Sequence, residues 1–198
     1  MCIRDRGKVN LFVSEVNAEL DFLQLNHTRP PFDDVRARRA LVMSLDRERL
    51  DEFLGDGYYT LATGPFPPDS EAYLEDAGYP AYDPEGAREL LEEYVADGGE
   101  ASFTMTSVAE PSIRRLSEMV QQQAGEVGFE IDIAERDQAA LINDAIGKSY
   151  QAMSFRNYPG GDPDGNYVWW YSGTTGADGE FVPNSVNFGG SVSYTHLT

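Results

Sequence analysis

The chain predicts an α/β fold built on a parallel sheet, and three observations carry that reading. Between Ala101 and Phe155, apolar stretches alternate between strand-like and helix-like periods, in the order strand, helix, strand, helix, strand. The helical stretches are punctuated by strong start and stop signals at Asp83-Pro84-Glu85, Gly128 and Asp137. The 198 residues, 41% of them hydrophobic, suffice for one medium domain with a real core. Two successive βαβ units imply right-handed crossovers and a parallel core.

Taken in order, Val9 to Val16 and Leu20 to Leu25 read as strands, separated by the polar Asn17-Ala18-Glu19. After Asn26 a proline turn leads into a helix over about 34–45. Asp33 and Asp34 can cap its start, and Val35, Ala37, Leu41, Met43 and Leu45 are apolar at helical spacing. Asp46 is placed to cap a second helix over 47–54. Gly55 to Ser70, dense in Gly, Pro and aromatics, reads as a surface loop. Asp83-Pro84-Glu85 supplies cap, first-turn proline and first-turn acid for a helix burying Ala87, Leu90, Leu91, Tyr94 and Val95.

In the second half, Phe103, Met105 and Ser107 alternate with Ser102, Thr104 and Thr106 as a strand. A helix from Ser112 to Val127 places Ile113, Leu116, Val120 and Val127 on one face, with Gly128 as its stop. Phe129, Ile131 and Ile133 mark the next strand. Asp137 caps a helix containing Ala140, Leu141, Asp144, Ala145 and Gly147, and Tyr150 to Phe155 forms a third strand. Ligands of open α/β sheets collect at the carboxyl ends of the strands. That rule selects the loop Arg156 to Ser172. It holds Arg156, Asn157, Tyr158, Asp162, Asp164, Trp169 and Trp170, the residues expected to bind ligand: rigid aromatics for area and a few polar groups for orientation. Asp162-Pro163-Asp164 also reads as a helix start, like Asp83-Pro84-Glu85, a purely structural role. Of the adjacent tryptophans, one is expected to pack inward and the other to face the cleft.

Charge and composition exclude several functions. A net charge of −19 and a pI near 4.3 argue against nucleic acid, which selects basic surfaces. Apart from Lys8 and Lys148 the basic residues are all arginine; an acidic, lysine-poor surface fits either a high-salt environment or a GC-rich genome. No apolar run is long enough to span a bilayer, so no direct membrane insertion is expected. With His27 and His196 the only histidines and Cys2 the only cysteine, neither a Ser-His-Asp constellation nor a zinc site has material. There is no nucleophile-elbow or phosphate-loop motif, and no cofactor or catalytic residue is assigned. A carboxylate pair of the glycosidase kind is available, but with 34 acids such pairs arise by chance.

Asn26, Pro31-Phe32-Asp33-Asp34, Arg36, Arg38, Ala40-Leu41 and Ser44-Leu45-Asp46-Arg47 closely resemble a signature of the peptide-type (family 5) solute-binding proteins of ABC importers. Tyr82 to Leu91, YDPEGARELL, resembles another segment common in that family, and Asp162-Pro163-Asp164 a third, at the mouth of the binding cleft. The resemblance runs from about Gly7 to Gly190. It implies a periplasmic-binding-protein-like (type II) lobe with a βαβαβ core, a fragment of a two-lobed protein and mainly its second lobe. It further implies closure about a hinge on a peptide or similar small solute, delivery to an ABC permease, and a periplasmic or cell-surface location. The chain departs from the family at Pro159. Peptide-binding members commonly carry an aspartate there, pairing with the ligand's amino group, which proline cannot do. Arg114-Arg115 also echoes the family but reads as a solvated basic step. The alternatives are a carboxylate-dependent α/β hydrolase and a stand-alone solute sensor or peptide chaperone.

Residues 1–6 and Val192 to Leu197 can be back-translated into reverse complements of each other, as one DNA element read on both strands would encode. Residues 1–6 and 192–198 are therefore expected to be non-native sequencing artefacts, and 7–191 the native domain, with its signal region missing from the fragment. On that expectation Cys2 and His196 are not native.

Overall fold

The computed structural model describes residues 20–55, 59–66, 68, 70–157 and 166–190. The strand expected at Val9 to Val16, both terminal segments, Tyr158, Pro159, Asp162 and Asp164 lie outside the described residues.

Four strands form one sheet in the order β1-β4-β2-β3, where β1 is Leu20–Leu25, β2 Ser102–Val108, β3 Glu130–Arg136 and β4 Ala152–Asn157. The three strands of the βαβαβ unit are parallel, as the alternation predicts. β1 departs from that pattern and joins β4 antiparallel, with Leu20 opposite Asn157 and Leu25 opposite Ala152. Among the described residues no helix is long and apolar enough to cross a membrane.

The helices form where capping and apolar spacing agree. In α1 (Val35–Met43) the Asp34 carboxylate accepts from the Arg36 backbone N–H at 2.7 Å, and Ala37, Ala40 and Leu41 are buried. Val35, expected in the stripe, is exposed because it sits at the first helical position, ahead of the buried face. The Asp46 side chain accepts from the Arg49 N–H at 3.0 Å as α2 (Arg47–Gly55) begins. Asp83 caps α3 (Pro84–Ala96) through the Gly86 N–H, and Ala87, Leu91 and Tyr94 are buried one and two turns apart. Val95 is 46% exposed, contrary to its expected place in that stripe, because its position rotates past the buried edge. α4 (Pro111–Val127) buries Ile113, Val120, Ala124 and Val127, and ends on Gly128 at φ 117°, where glycine avoids the Cβ penalty. Asp137 caps α5 (Gln138–Ile146), which buries Leu141 and Ala145.

Two apolar clusters result. The larger joins α1, α3 and α4 to β2 and β3 around Phe32, whose ring meets Phe103 edge-on at 4.7 Å. The smaller gathers Leu141, Ala145, Tyr150, Met153 and Phe188 beside β4. Asn26 joins the end of β1 to the turn before β4. It is fully buried; its Nδ2 donates to the carbonyls of Lys148 (3.1 Å) and Tyr150 (2.8 Å), while its Oδ1 accepts from the Thr28 N–H and hydroxyl. Arg36 pairs with the α1 cap residue Asp34 and ties α1 to the end of α3 through Asp97 at 2.6 Å. The signature segment is thus a structural joint.

Candidate functional site

β4 begins two residues later than expected and continues through Asn157, so Arg156 and Asn157 stand in the strand rather than in the loop after it. Pairing with β1 fixes both. Arg156 faces its cross-strand partner Asp21, with Nε 3.2 Å from Oδ1, and both side chains are about half-exposed. Asn157 Nδ2 donates to Oδ1 of the buried Asn166 at 2.9 Å, tying the end of β4 to the residue preceding a short helix, α6 (Tyr167–Trp170). A small hairpin of β5 (Gly173–Thr175) and β6 (Phe181–Pro183) follows.

α6 delivers the two tryptophans differently. Trp169 packs inward, edge-on to Phe155 (6.2 Å between ring centroids) and to Phe188 (5.5 Å), while Trp170 is 47% exposed. Phe155 also meets Phe188 at 5.6 Å and Phe22 at 6.1 Å, so four aromatic rings interlock across β1, β4, α6 and the segment near the carboxyl end. Such edge-to-face contacts stabilise by about 0.5–1.5 kcal/mol each beyond area burial, which makes this a rigid platform.

Beside this platform, along β1, runs a groove of about 170 Å³. Phe22, Leu23, Leu25, Trp169 and Trp170 give it apolar walls; Gln24, His27, Asn187 and Gly189 add polar atoms. The carboxyl-end segment closes one side: the His27 N–H donates to the Gly189 carbonyl at 2.8 Å, and the Tyr150 hydroxyl donates to the Phe188 carbonyl at 2.8 Å. A Cβ at Gly189 would come within 2.6 Å of Gln24 Nε2, so only glycine permits this approach without displacing Gln24. Lost hydration against neighbouring chain, and then the Arg38 guanidinium, hold His27 below its ordinary pKa, so the imidazole is neutral at pH 7 although its side chain keeps contact with solvent.

Of the seven residues expected from sequence, Trp169 and Trp170 line the groove, whereas Arg156 and Asn157 stand at the end of β4 and are not among its lining residues; Tyr158, Asp162 and Asp164 lie outside the described residues. Phe22, Gln24, Asn187 and Gly189 were missed, because only the β1–β4 register and the return of the carboxyl-end segment bring them there. A second recess of similar volume, near the amino ends of β2 and β3, is polar and lined by Glu100, Ser102, Thr104, Asp132 and Gln151. Four of its residues are already engaged in pairs: Ser102 Oγ donates to Glu100 at 2.8 Å, and Gln151 Oε1 accepts from the Thr104 N–H. Among the described residues no group of three or more His, Cys, Asp or Glu could hold a metal ion.

The model of the bacterial extracellular solute-binding proteins, family 5 middle region, matches residues 3–179. The glutathione-binding protein GsiB of Escherichia coli (strain K12) is 29% identical over 162 residues, which cover 82% of this chain and 30% of GsiB. The substrate-binding protein CtaP of an ABC transporter from Listeria monocytogenes superposes with a TM-score of 0.78 at 20% identity, over 90% of this chain and 36% of CtaP. The oligopeptide-binding protein AppA of Bacillus subtilis, solved with a nonapeptide, gives a TM-score of 0.75 at 22% identity, over 89% of this chain and 37% of AppA. The chain therefore spans about a third of the length of these relatives, and the fold is theirs. The sequence match across residues 3–179 places this chain in family 5 of the bacterial extracellular solute-binding proteins.

Proposed function

We propose that the chain is part of the substrate-binding component of an ABC importer, which takes up a peptide or similar small solute outside the cytoplasmic membrane and passes it to a permease. Members of this family are transport binding proteins, and the location follows from the family. The observation that carries the reading is the rigid aromatic platform with a half-exposed tryptophan beside an open groove. Such a surface contributes contact area at little entropic cost and breaks no bond. At about 170 Å³ the groove is smaller than the roughly 300–1,000 Å³ of a complete small-molecule site, as expected of one wall of a cleft closed by a second lobe. Trp169 and Trp170 at the groove and Arg156 and Asn157 at the end of β4, with Tyr158, Asp162 and Asp164, are the ligand contacts of this reading. The alternatives, a carboxylate-dependent hydrolase and a free-standing sensor or chaperone, draw no comparable support.

The test is equilibrium dialysis of the chain against a tryptic casein digest, with mass spectrometry of both compartments. Retention of intact peptides, with dissociation constants around the millimolar value expected of half a site, supports the proposal. Retention of nothing, or steady cleavage of the peptides, would contradict it.

A further inference from the structure

We propose that the groove beside β1 is a subsite for one aromatic or large branched aliphatic side chain of the bound solute, with Phe22, Trp169 and Trp170 as its apolar lining. The inference rests on the solute-binding reading and adds the class of group recognised.

Size is the first argument. An enclosed apolar cavity of about 150 Å³ takes up benzene, so a groove of about 170 Å³ matches one ring or one branched aliphatic group rather than a whole ligand. Rigidity is the second. Phe22 and Trp169 are held by edge-on contacts through Phe155 and Phe188, so the lining is formed before any ligand arrives and little ordering remains to oppose binding. Charge is the third. Among the described residues the lining carries no Asp, Glu, Lys or Arg side chain, and the titratable group it does carry, His27, is neutral at pH 7. A charged side chain would lose hydration there and find no opposite charge. Trp170, 47% exposed, leaves apolar surface in water that an incoming ring would cover.

Both tryptophans of the chain line this groove, so intrinsic emission reports its occupancy. The experiment titrates the chain with the tripeptides Ala-Phe-Ala, Ala-Ala-Ala and Ala-Glu-Ala. The expected result is binding of Ala-Phe-Ala about tenfold tighter than of the other two, the order that burying one ring in a half-open site gives. Trp170→Ala should bring that preference below about threefold at unchanged melting temperature, and Trp170→Phe should retain most of it. Equal affinity for all three peptides would overturn the subsite while leaving the solute-binding reading intact. A preference undiminished in Trp170→Ala would overturn the assignment to this groove. Binding of none of the three would overturn both readings.

Discussion

Replacing Asn26 by alanine removes four hydrogen bonds from a fully buried side chain. At about 1 kcal/mol net for each bond the loss is about 4 kcal/mol. Two corrections act in opposite directions. The Tyr150 carbonyl, buried at 2.8 Å from Nδ2, loses a partner where water cannot replace it, which adds to the cost. The Lys148 carbonyl and the Thr28 N–H are only partly buried and recover some hydration. The expected destabilisation is thus about 3–5 kcal/mol, a large part of the stability of a domain this size. With a urea m-value of about 2 kcal/mol/M, the unfolding midpoint should fall by roughly 2 M, or the cooperative transition should vanish. Asn26→Asp separates geometry from chemistry. It keeps the acceptor for Thr28 but sets a carboxylate oxygen against two carbonyls, so it should be nearly as unstable at pH 7 and regain stability as acid protonates it. A loss below about 1 kcal/mol for Asn26→Ala, with no pH dependence in Asn26→Asp, would refute the claim that this residue joins β1 to the turn before β4.

Three other substitutions test the cap, the helix stop and the histidine. Asp34→Ala removes the α1 cap and leaves Arg36 with Asp97 alone, and should cost about 1 kcal/mol in urea unfolding. The Asp34 carboxyl is lowered chiefly by the Arg36 side-chain hydrogen bonds, so its contribution is present above its unfolded pKa and should disappear as pH falls through the lower folded value. Gly128→Ala meets only Leu91 at 3.5 Å, yet forces a side chain to φ 117°, and should lower stability by about 1 kcal/mol or more, measured by calorimetry. His27 is held below its ordinary pKa, so the unfolded chain binds its proton first. Stability should therefore fall as pH drops from 7 to 5, and His27→Gln should flatten that part of the pH–stability curve.

Much of the fold was legible because local signals and tertiary contacts agree. Asp34, Asp46, Asp83 and Asp137 all cap as their spacing predicts, Gly128 ends α4, and the strand–helix alternation gives the parallel core. Where expectation failed, the cause was position along a helix or strand. Val35 and Val95 are apolar but rotated out of the buried stripe, and β4 runs on to Asn157 because β1 supplies pairing as far as Leu20. The groove was half legible. A cluster of aromatics after the last parallel strand pointed to Trp169 and Trp170, but Phe22 lies far away in sequence and reaches the groove only through antiparallel pairing with Phe155. Gly189 and Asn187 carry no local motif and were invisible until the carboxyl-end segment was seen to pack against β1.

Binding of solute against this aromatic groove would show in ¹H–¹⁵N chemical-shift changes as Ala-Phe-Ala is added to the labelled chain. Progressive shifts of the Trp170 indole N–H and of the backbone amides of Phe22 to His27 and Gly189 are expected, with those of α3 and α4 unmoved. Shifts confined to the polar recess around Glu100 and Asp132, or spread evenly over the helices, would contradict it.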